Sequence, residues 1–262
     1  MTIRVGVFGA GGRMGSVVCQ AVAADPDLEL AVGVDPFHMG IDLRKVTGAE
    51  VPGQIARDAE ALAHAGVHVA VDFTNVDAAR KNLAWCATNG VHAVVGTTGF
   101  TDADLEDLAR RFTTSNCFVA PNFAIGAVLM MRFAELAAPW FETAEIIELH
   151  HDRKIDAPSG TAMLTASRIA AASADWGPDP TESTATEGAR GGVAAGGIRV
   201  HSVRLRGLVA HHEVLFGTTG QSLAIRHDSY DRASFMPGVL LAVKAVADHP
   251  GLTVGLDAIL GI

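Results

Sequence analysis

The sequence predicts an α/β chain, with a Rossmann-type parallel-sheet domain first and an α+β domain with a mostly antiparallel sheet after it. Three observations carry this. Strand-like and helix-like segments alternate through residue 122, the pattern of a parallel sheet covered by helices. A glycine-rich turn, Gly9-Ala10-Gly11-Gly12-Arg13-Met14-Gly15, joins the first strand to the first helix. Beyond residue 122 the alternation gives way to helices and closely spaced strands, with Gly217-Thr218-Thr219-Gly220 placed as a hairpin turn.

Ile3–Phe8 is an apolar run that ends in glycine, and Leu28–Val34 is a second strand. Between them Arg13–Ala24 sets Met14, Val17, Val18, Ala21 and Val22 on one side, the period of a helix. A strand over 68–73 is continuous in apolar residues, as burial on both faces requires. A helix over 78–89 stops at Gly90. His92–Val95, Asp102–Arg111 and residues 117–120 complete the series as strand, helix and strand. Next come a helix over 125–139, a strand over 144–150 and a helix over 159–174. Residues 177–197, rich in Gly, Pro, Thr and Ala, read as a long loop of the functional or mobile kind. Strands over 198–205, 210–216 and 222–227 lead to a helix over 234–247, which tolerates Pro237 only in its first turn. The tail 252–260 is a candidate to return to the first domain.

The 262 residues are 49% hydrophobic and 19% charged, which supports a large core and argues against wholesale disorder. A net charge of −9 argues against nucleic acid or an anionic membrane as the default partner. Cys19, Cys86 and Cys117 form no paired motif, so reduced buried thiols in a cytoplasmic protein are expected. The N-terminus enters a strand at once, without a secretion signal, and no apolar run suggests a membrane span.

The glycine turn points to a dinucleotide. Glycines let backbone N–H groups approach a pyrophosphate at a helix N-terminus. Gly9 and Gly11 fit the usual spacing, Met14 stands where the third glycine belongs, and Gly9, Gly12 and Gly15 form an alternative register. Asp35 closes the second strand, where an acid accepts hydrogen bonds from a ribose diol. That acid favours NADH by repelling a 2′-phosphate. Arg13 offsets the repulsion and His38 adds to the offset, so NADPH stays open. Gly96-Thr97-Thr98-Gly99 and Ala120-Pro121-Asn122-Phe123 follow the fourth and fifth strands, at the sheet end where ligands bind. Ordinary strand-to-helix turns are the competing reading.

The second motif is Glu148-Leu149-His150-His151-Asp152-Arg153-Lys154-Ile155-Asp156-Ala157-Pro158-Ser159-Gly160-Thr161-Ala162. Nicotinamide reduction needs a proton near the hydride acceptor, and His and Lys are common general acids. The N–H groups of Gly160 and Thr161, with the Thr161 hydroxyl, point toward any carboxylate at the helix start. Strand alternation sends His150 and His151 to opposite faces unless the strand ends there. A zinc site lacks a third ligand at suitable spacing, so no metal is expected. His211-His212 reads as structural.

The 148–162 motif closely resembles the signature of the dihydrodipicolinate reductase family, enzymes of lysine and diaminopimelate biosynthesis. Residues 9–15, 72–74, 95–100, 120–126 and 226–229 also look like family segments in the expected order, so the resemblance spans the chain. It implies NAD(P)H-dependent reduction of 4-hydroxy-tetrahydrodipicolinate, with loss of water. Residues 1–122 and 232–262 would be the dinucleotide-binding domain. Residues 123–231 would bind substrate and build a homotetramer through their sheet. By resemblance His150 is the proton donor/acceptor, Lys154 a second proton donor, His151 a substrate-binding residue and Gly160-Thr161 the carboxylate-binding pair. Gly9, Ala10, Gly11, Gly12, Arg13, Met14, Asp35, Gly96, Thr97, Thr98, Ala120, Pro121, Asn122 and Phe123 match coenzyme contacts. Some members carry an acid followed by arginine after the second strand, which suits NADPH. Here Pro36 and Phe37 follow Asp35. The change of pattern at Phe123-Ala124-Ile125-Gly126 marks a candidate hinge for domain closure. Rival readings are a two-domain dehydrogenase of small amino or keto acids and a dinucleotide-sensing protein without turnover. The grouped proton donors argue against the sensor.

Overall fold

A computed structural model describes residues 2–262. Ile3–Phe8 (β1) runs into the glycine turn and then into Arg13–Ala24 (α1). Gly9 takes φ 68°, which a side chain resists. A Cβ at Gly15 would lie 2.0 Å from the Gly9 carbonyl oxygen. The register that matters is therefore Gly9 and Gly15, and Met14 is free to point elsewhere. Leu28–Val34 (β2) follows. Two five-residue helices, Leu43–Thr47 (α2) and Glu60–His64 (α3), come next. Neither was expected, because five residues are too few to display a helical period. Local signals for α2 exist all the same: Asp42 caps it at the Lys45 N–H, and left-handed Gly48 ends it.

Val69–Asp72 (β3), Val76–Asn89 (α4), His92–Val95 (β4), Asp102–Arg111 (α5) and Cys117–Val119 (β5) complete the alternation. All four residues of β3 and all three of β5 are buried, as strands covered on both faces must be. Asn75 caps α4, and Thr101 with Asp104 forms a capping box on α5.

Ile125–Ala137 (α6) continues as a 3-10 turn through Pro139, so its regular part is shorter than expected. Thr143–His150 (β6) is followed by Gly160–Ala172 (α7). Residues 177–197, read as loop, include a two-residue strand, Gly192–Val193 (β7), and a 3-10 turn. Arg199–Arg204 (β8), Ala210–Thr218 (β9) and Gln221–Ser229 (β10) follow. Then come Met236–Ala245 (α8), with Pro237 in its first turn, Leu252–Val254 (β11) and Asp257–Leu260 (α9).

The chain divides into two compact units, Met1–Phe123 with Phe235–Ile262, and Ala124–Ser234. The first holds a six-stranded sheet in the order β11-β5-β4-β3-β1-β2, parallel throughout. The tail thus adds a strand beside β5. Phe8, Leu83, Phe112 and Cys117 lie in its core, each worth about 1.5–3 kcal/mol if fully buried and of Leu or Phe size. The second unit holds a five-stranded sheet, β10-β9-β6-β8-β7, in which only β6 and β8 run parallel. Ile146, Val200, Val214 and Phe216 pack with Ala134, Ala166 and Ile169 of the helices on one face. Cys19, Cys86 and Cys117 are buried and unpaired. No helix among the described residues is long and apolar enough to cross a membrane.

Candidate active site

In the first unit the carboxyl ends of β1, β2 and β3 open on a cleft of about 820 Å³, lined among others by Gly9, Gly12, Asp35, Phe73 and Thr74. This is where the strand order reverses, with β2 on one side of β1 and β3 on the other, the usual crevice for a nucleotide. Gly12 is the N-cap of α1 and offers no side-chain cap, unlike Asn75 and Thr101 on α4 and α5. The first N–H groups of α1 are therefore left for an anion. Asp35 is 6% exposed. Its two oxygens accept from Gly11 N–H at 3.1 Å and Phe37 N–H at 2.9 Å, and His38 Nδ1 lies 3.3 Å away. An ionised carboxylate keeps further lone pairs for hydroxyl donors. Arg57 and Lys81 bring positive charge to the same cleft, and sequence reasoning singled out neither.

A smaller cleft of about 190 Å³ gathers Met14, Gly96, Ala120, Pro121, Asn122 and Phe123. Three stretches of sequence separated by tens of residues thus meet at one place. Thr98 and Arg13 are exposed, whereas Ala10 and Thr97 are buried. Thr97 is held from beneath. Asp72, 1% exposed, accepts from the hydroxyls of Thr97 and Thr74, the Thr74 N–H and the Asn82 amide, all at 2.7–2.9 Å. A buried carboxylate so fully hydrogen-bonded locks the loops after β3 and β4. It escaped sequence reasoning because an acid at a strand end carries no sign of its partners.

In the second unit β6 ends at His150, and His151 lies in the turn beyond it. Strand alternation therefore does not govern the pair. His150 is partly buried, and its Nδ1 is in hydrogen-bond contact with Glu148 Oε2. Glu148 is 0% exposed. Arg204 grips both its oxygens, Nη1 at 2.9 Å and Nη2 at 2.8 Å, and Ser159 N–H donates to Oε1 at 3.2 Å. Burial works against the Glu148 carboxylate, but hydrogen bonds from Arg204, Ser202 and His150 hold it below its ordinary range. Burial pushes His150 below the ordinary imidazole range while Glu148 pulls the other way.

Lys154 is less free than its place in the motif suggests, since its ammonium donates to both Asp156 oxygens at 2.8 Å. His151 Nδ1 accepts from Arg153 N–H at 3.2 Å, which leaves Nε2 as its open nitrogen. The Ser159 hydroxyl caps α7 at Ala162 N–H, deeper in the helix than the N–H groups of Gly160 and Thr161. A Cβ at Gly160 would meet nothing within 4 Å, so packing does not call for glycine there. Open space at a helix start suits close approach by a ligand.

His211 and His212 are buried on opposite faces of β9, His211 against Asp228 at 2.6 Å. Burial takes His212 down to about 4, against the pull of Glu148. Sequence reasoning missed Glu148 and Arg204. Glu148 left a readable signal, an acid on the core-facing side of a strand between Ile146 and His150. Arg204 left none, being 56 residues from its partner. No cluster suited to a metal occurs among the described residues.

Comparison with known proteins gives the family. The family model described as the N-terminus of dihydrodipicolinate reductase matches residues 3–123, and that of its C-terminus matches residues 126–260. The 4-hydroxy-tetrahydrodipicolinate reductase of Cutibacterium acnes is 52% identical over 267 residues, covering 99% of each chain. That of Nocardia farcinica is 52% identical over 269 residues, covering 100% of each. The dipicolinate-bound dihydrodipicolinate reductase from Paenisporosarcina sp. TG-14 superposes with a TM-score of 0.86 at 42% identity, covering 99% of this chain and 100% of that one. By both halves of its sequence and by its fold, the chain belongs to the dihydrodipicolinate reductase family.

Proposed function

We propose that this chain is a 4-hydroxy-tetrahydrodipicolinate reductase. It reduces its substrate to tetrahydrodipicolinate with NADH or NADPH, releasing water, in diaminopimelate and lysine biosynthesis. The observation that carries this reading is the single carboxylate of Glu148, which holds both the His150 imidazole and the start of α7. A proton donor and an anion-binding helix end are thereby built as one rigid piece.

The substrate is a six-membered nitrogen ring with two carboxylates. One carboxylate sits on the N–H groups of Gly160 and Thr161 and on the Thr161 hydroxyl, where the helix dipole favours negative charge. His151 offers its open nitrogen to the substrate. The overall change consumes one hydride and one proton and releases one water. A bound nicotinamide coenzyme supplies the hydride, to ring carbon 4. His150 supplies or accepts the proton, and Lys154 acts as second donor from its ion pair with Asp156.

In the first unit, residues Gly9 to Met14 hold the pyrophosphate and Asp35 the ribose. Gly96, Thr97, Thr98 and Ala120 to Phe123 line the nicotinamide end. The cleft, the uncapped helix start and the free lone pairs of Asp35 support this placement. The second unit supplies the substrate-binding residues. Its sheet face opposite the helices carries Ile147, Leu149, Val203 and Leu215 between the ion pairs of Glu145 and Arg226. We assign the homotetramer to that face, and the cytoplasm as the setting of the unpaired thiols.

NADH oxidation with freshly prepared 4-hydroxy-tetrahydrodipicolinate, and none with oxaloacetate plus ammonia, is the expected assay result. The reverse, or turnover of neither, would overturn the reading. Thr161→Ala is expected to raise the substrate KM about fivefold while leaving the coenzyme Kd unchanged, about 1 kcal/mol for one lost hydrogen bond. A changed coenzyme Kd with normal KM would mean that the helix start is not the carboxylate site. Fluorescence titration is expected to give a lower Kd for NADH than for NADPH. Asp35→Asn should shift that ratio about tenfold toward NADPH, through loss of one like charge near the 2′-phosphate. An unchanged ratio would remove Asp35 from coenzyme selection.

A further inference from the structure

We propose that Glu148 is a positioning residue that keeps the neutral His150 imidazole protonated on Nδ1, so that Nε2 is the nitrogen that exchanges a proton with substrate. This rests on the reading of His150 as proton donor and goes beyond it, naming the working nitrogen and what selects it.

The argument begins with burial. Glu148 is 0% exposed, and a carboxylate there survives as an ion only if it is paired and hydrogen-bonded. Arg204 supplies a bidentate pair and Ser159 a backbone N–H. An ionised carboxylate only accepts hydrogen bonds. The group in contact with its Oε2, His150 Nδ1, must therefore donate. A neutral imidazole has one N–H, so Nε2 is left bare as a base and carries the mobile proton when the ring is charged. Arg204 is essential to this logic. Without it burial would draw Glu148 toward its protonated form, and a protonated Glu148 would be a donor itself and reverse the tautomer.

A purely structural ion pair explains less. Arg204 and Ser159 already satisfy much of the carboxylate, and a structural role has no need of an imidazole. The placement of Oε1 on Ser159 and Oε2 on His150 also ties the ring to the start of α7. Rotation of the ring or a shift of the helix start would break a contact to the same carboxylate. Proton donor and substrate grip thus keep a fixed spacing.

The charged and titratable groups around the ring come from every neighbouring strand. Glu148 lies on β6 itself, Arg204 opposite His150 on β8, and Lys154 with Asp156 in the following loop. His212 lies on β9 opposite Glu148, and His227 on β10 opposite His212. Arg204 and Lys154 oppose a charged His150, and Glu148 is the carboxylate in contact with it.

Glu148→Gln tests the proposal. Two fixed donors, Ser159 N–H and Arg204 Nη2, meet at the Oε1 position against one, Arg204 Nη1, at Oε2, so the amide oxygen settles at Oε1 and the NH2 faces His150, whose ring can switch to accepting. His150 Nδ1 must then accept, and the proton moves to Nε2. Nitrogen-15 NMR of histidine-labelled protein, with His150 assigned by its absence in His150→Gln, is expected to show the Nδ1–H tautomer in the natural chain and the Nε2–H tautomer in Glu148→Gln. The His150 titration should move to lower pH, since the charge that favours the imidazolium is gone. kcat should fall about 10-fold to 10²-fold with KM little changed. Glu148→Asp, which keeps the charge, should retain the Nδ1–H tautomer. An Nε2–H tautomer in the natural chain would overturn the proposal. So would an unchanged tautomer and titration in Glu148→Gln. If Glu148→Gln does not fold, the spectrum of the natural chain decides alone. Absence of turnover in the natural chain counts against the assigned reaction, which the NMR readout does not depend on.

Discussion

Replacing His150 by glutamine lowers kcat about 10²-fold, the usual scale for loss of a positioned general acid. Coenzyme affinity is expected to stay the same, because the residues proposed to hold it, the glycine turn, Asp35 and the loops after β4 and β5, belong to the other unit. Glutamine preserves much of the volume and can still hydrogen-bond to Glu148, so the fold should survive. What it lacks is a group that gains and loses a proton near neutral pH. The measurement is steady-state kinetics with the coenzyme Kd determined separately. Near-normal turnover would remove His150 from the mechanism. A loss confined to KM would turn it into a binding residue.

Arg204→Met is expected to destabilise the chain by about 3–5 kcal/mol, the cost of stripping one partner from a buried ion pair. Glu148 has no route to water, and Ser159 and His150 alone do not neutralise it. The sign of the pH dependence follows. In the natural chain Glu148 sits below its ordinary range, so the stability it contributes is present above the unfolded carboxylate value and is lost as pH falls through the folded one. In the variant burial is opposed only by Ser202 and His150, and that value rises. The penalty should be largest at neutral pH and shrink in acid as Glu148 takes up a proton. Urea unfolding at neutral and mildly acidic pH measures both. Adding Glu148→Gln to the variant should recover part of the loss, because a neutral amide costs less to bury than an unpaired ion. A penalty that does not change with pH would mean that Arg204 acts through packing of its stem.

The parts of the site that were legible in the sequence are those made by neighbours in the chain. The turn from β1 to α1 can be read from glycine spacing because the steric demand at Gly9 and Gly15 arises within seven residues. The start of α7 can be read from Ser159-Gly160-Thr161 because capping is local. His150 and Lys154 are close for the same reason, being in one short run. The five-residue helices α2 and α3 and the two-residue β7 stayed hidden because a period needs more residues than they have.

Sequence alone determined the fold class and the glycine turn, and it set the proposed proton donors His150 and Lys154 a few residues before the start of α7, since each follows from backbone sterics or from residues a few positions apart. Tertiary structure alone decided that Arg204 closes on Glu148, that Asp72 binds the loops after β3 and β4, and that Arg57 and Lys81 enter the cleft beside Asp35. Those contacts depend on which strands lie side by side. Pairing of β6 with β8, and of β3 with β4, brings residues of distant sequence within hydrogen-bond range, and burial then makes each contact strong enough to set a charge or a tautomer.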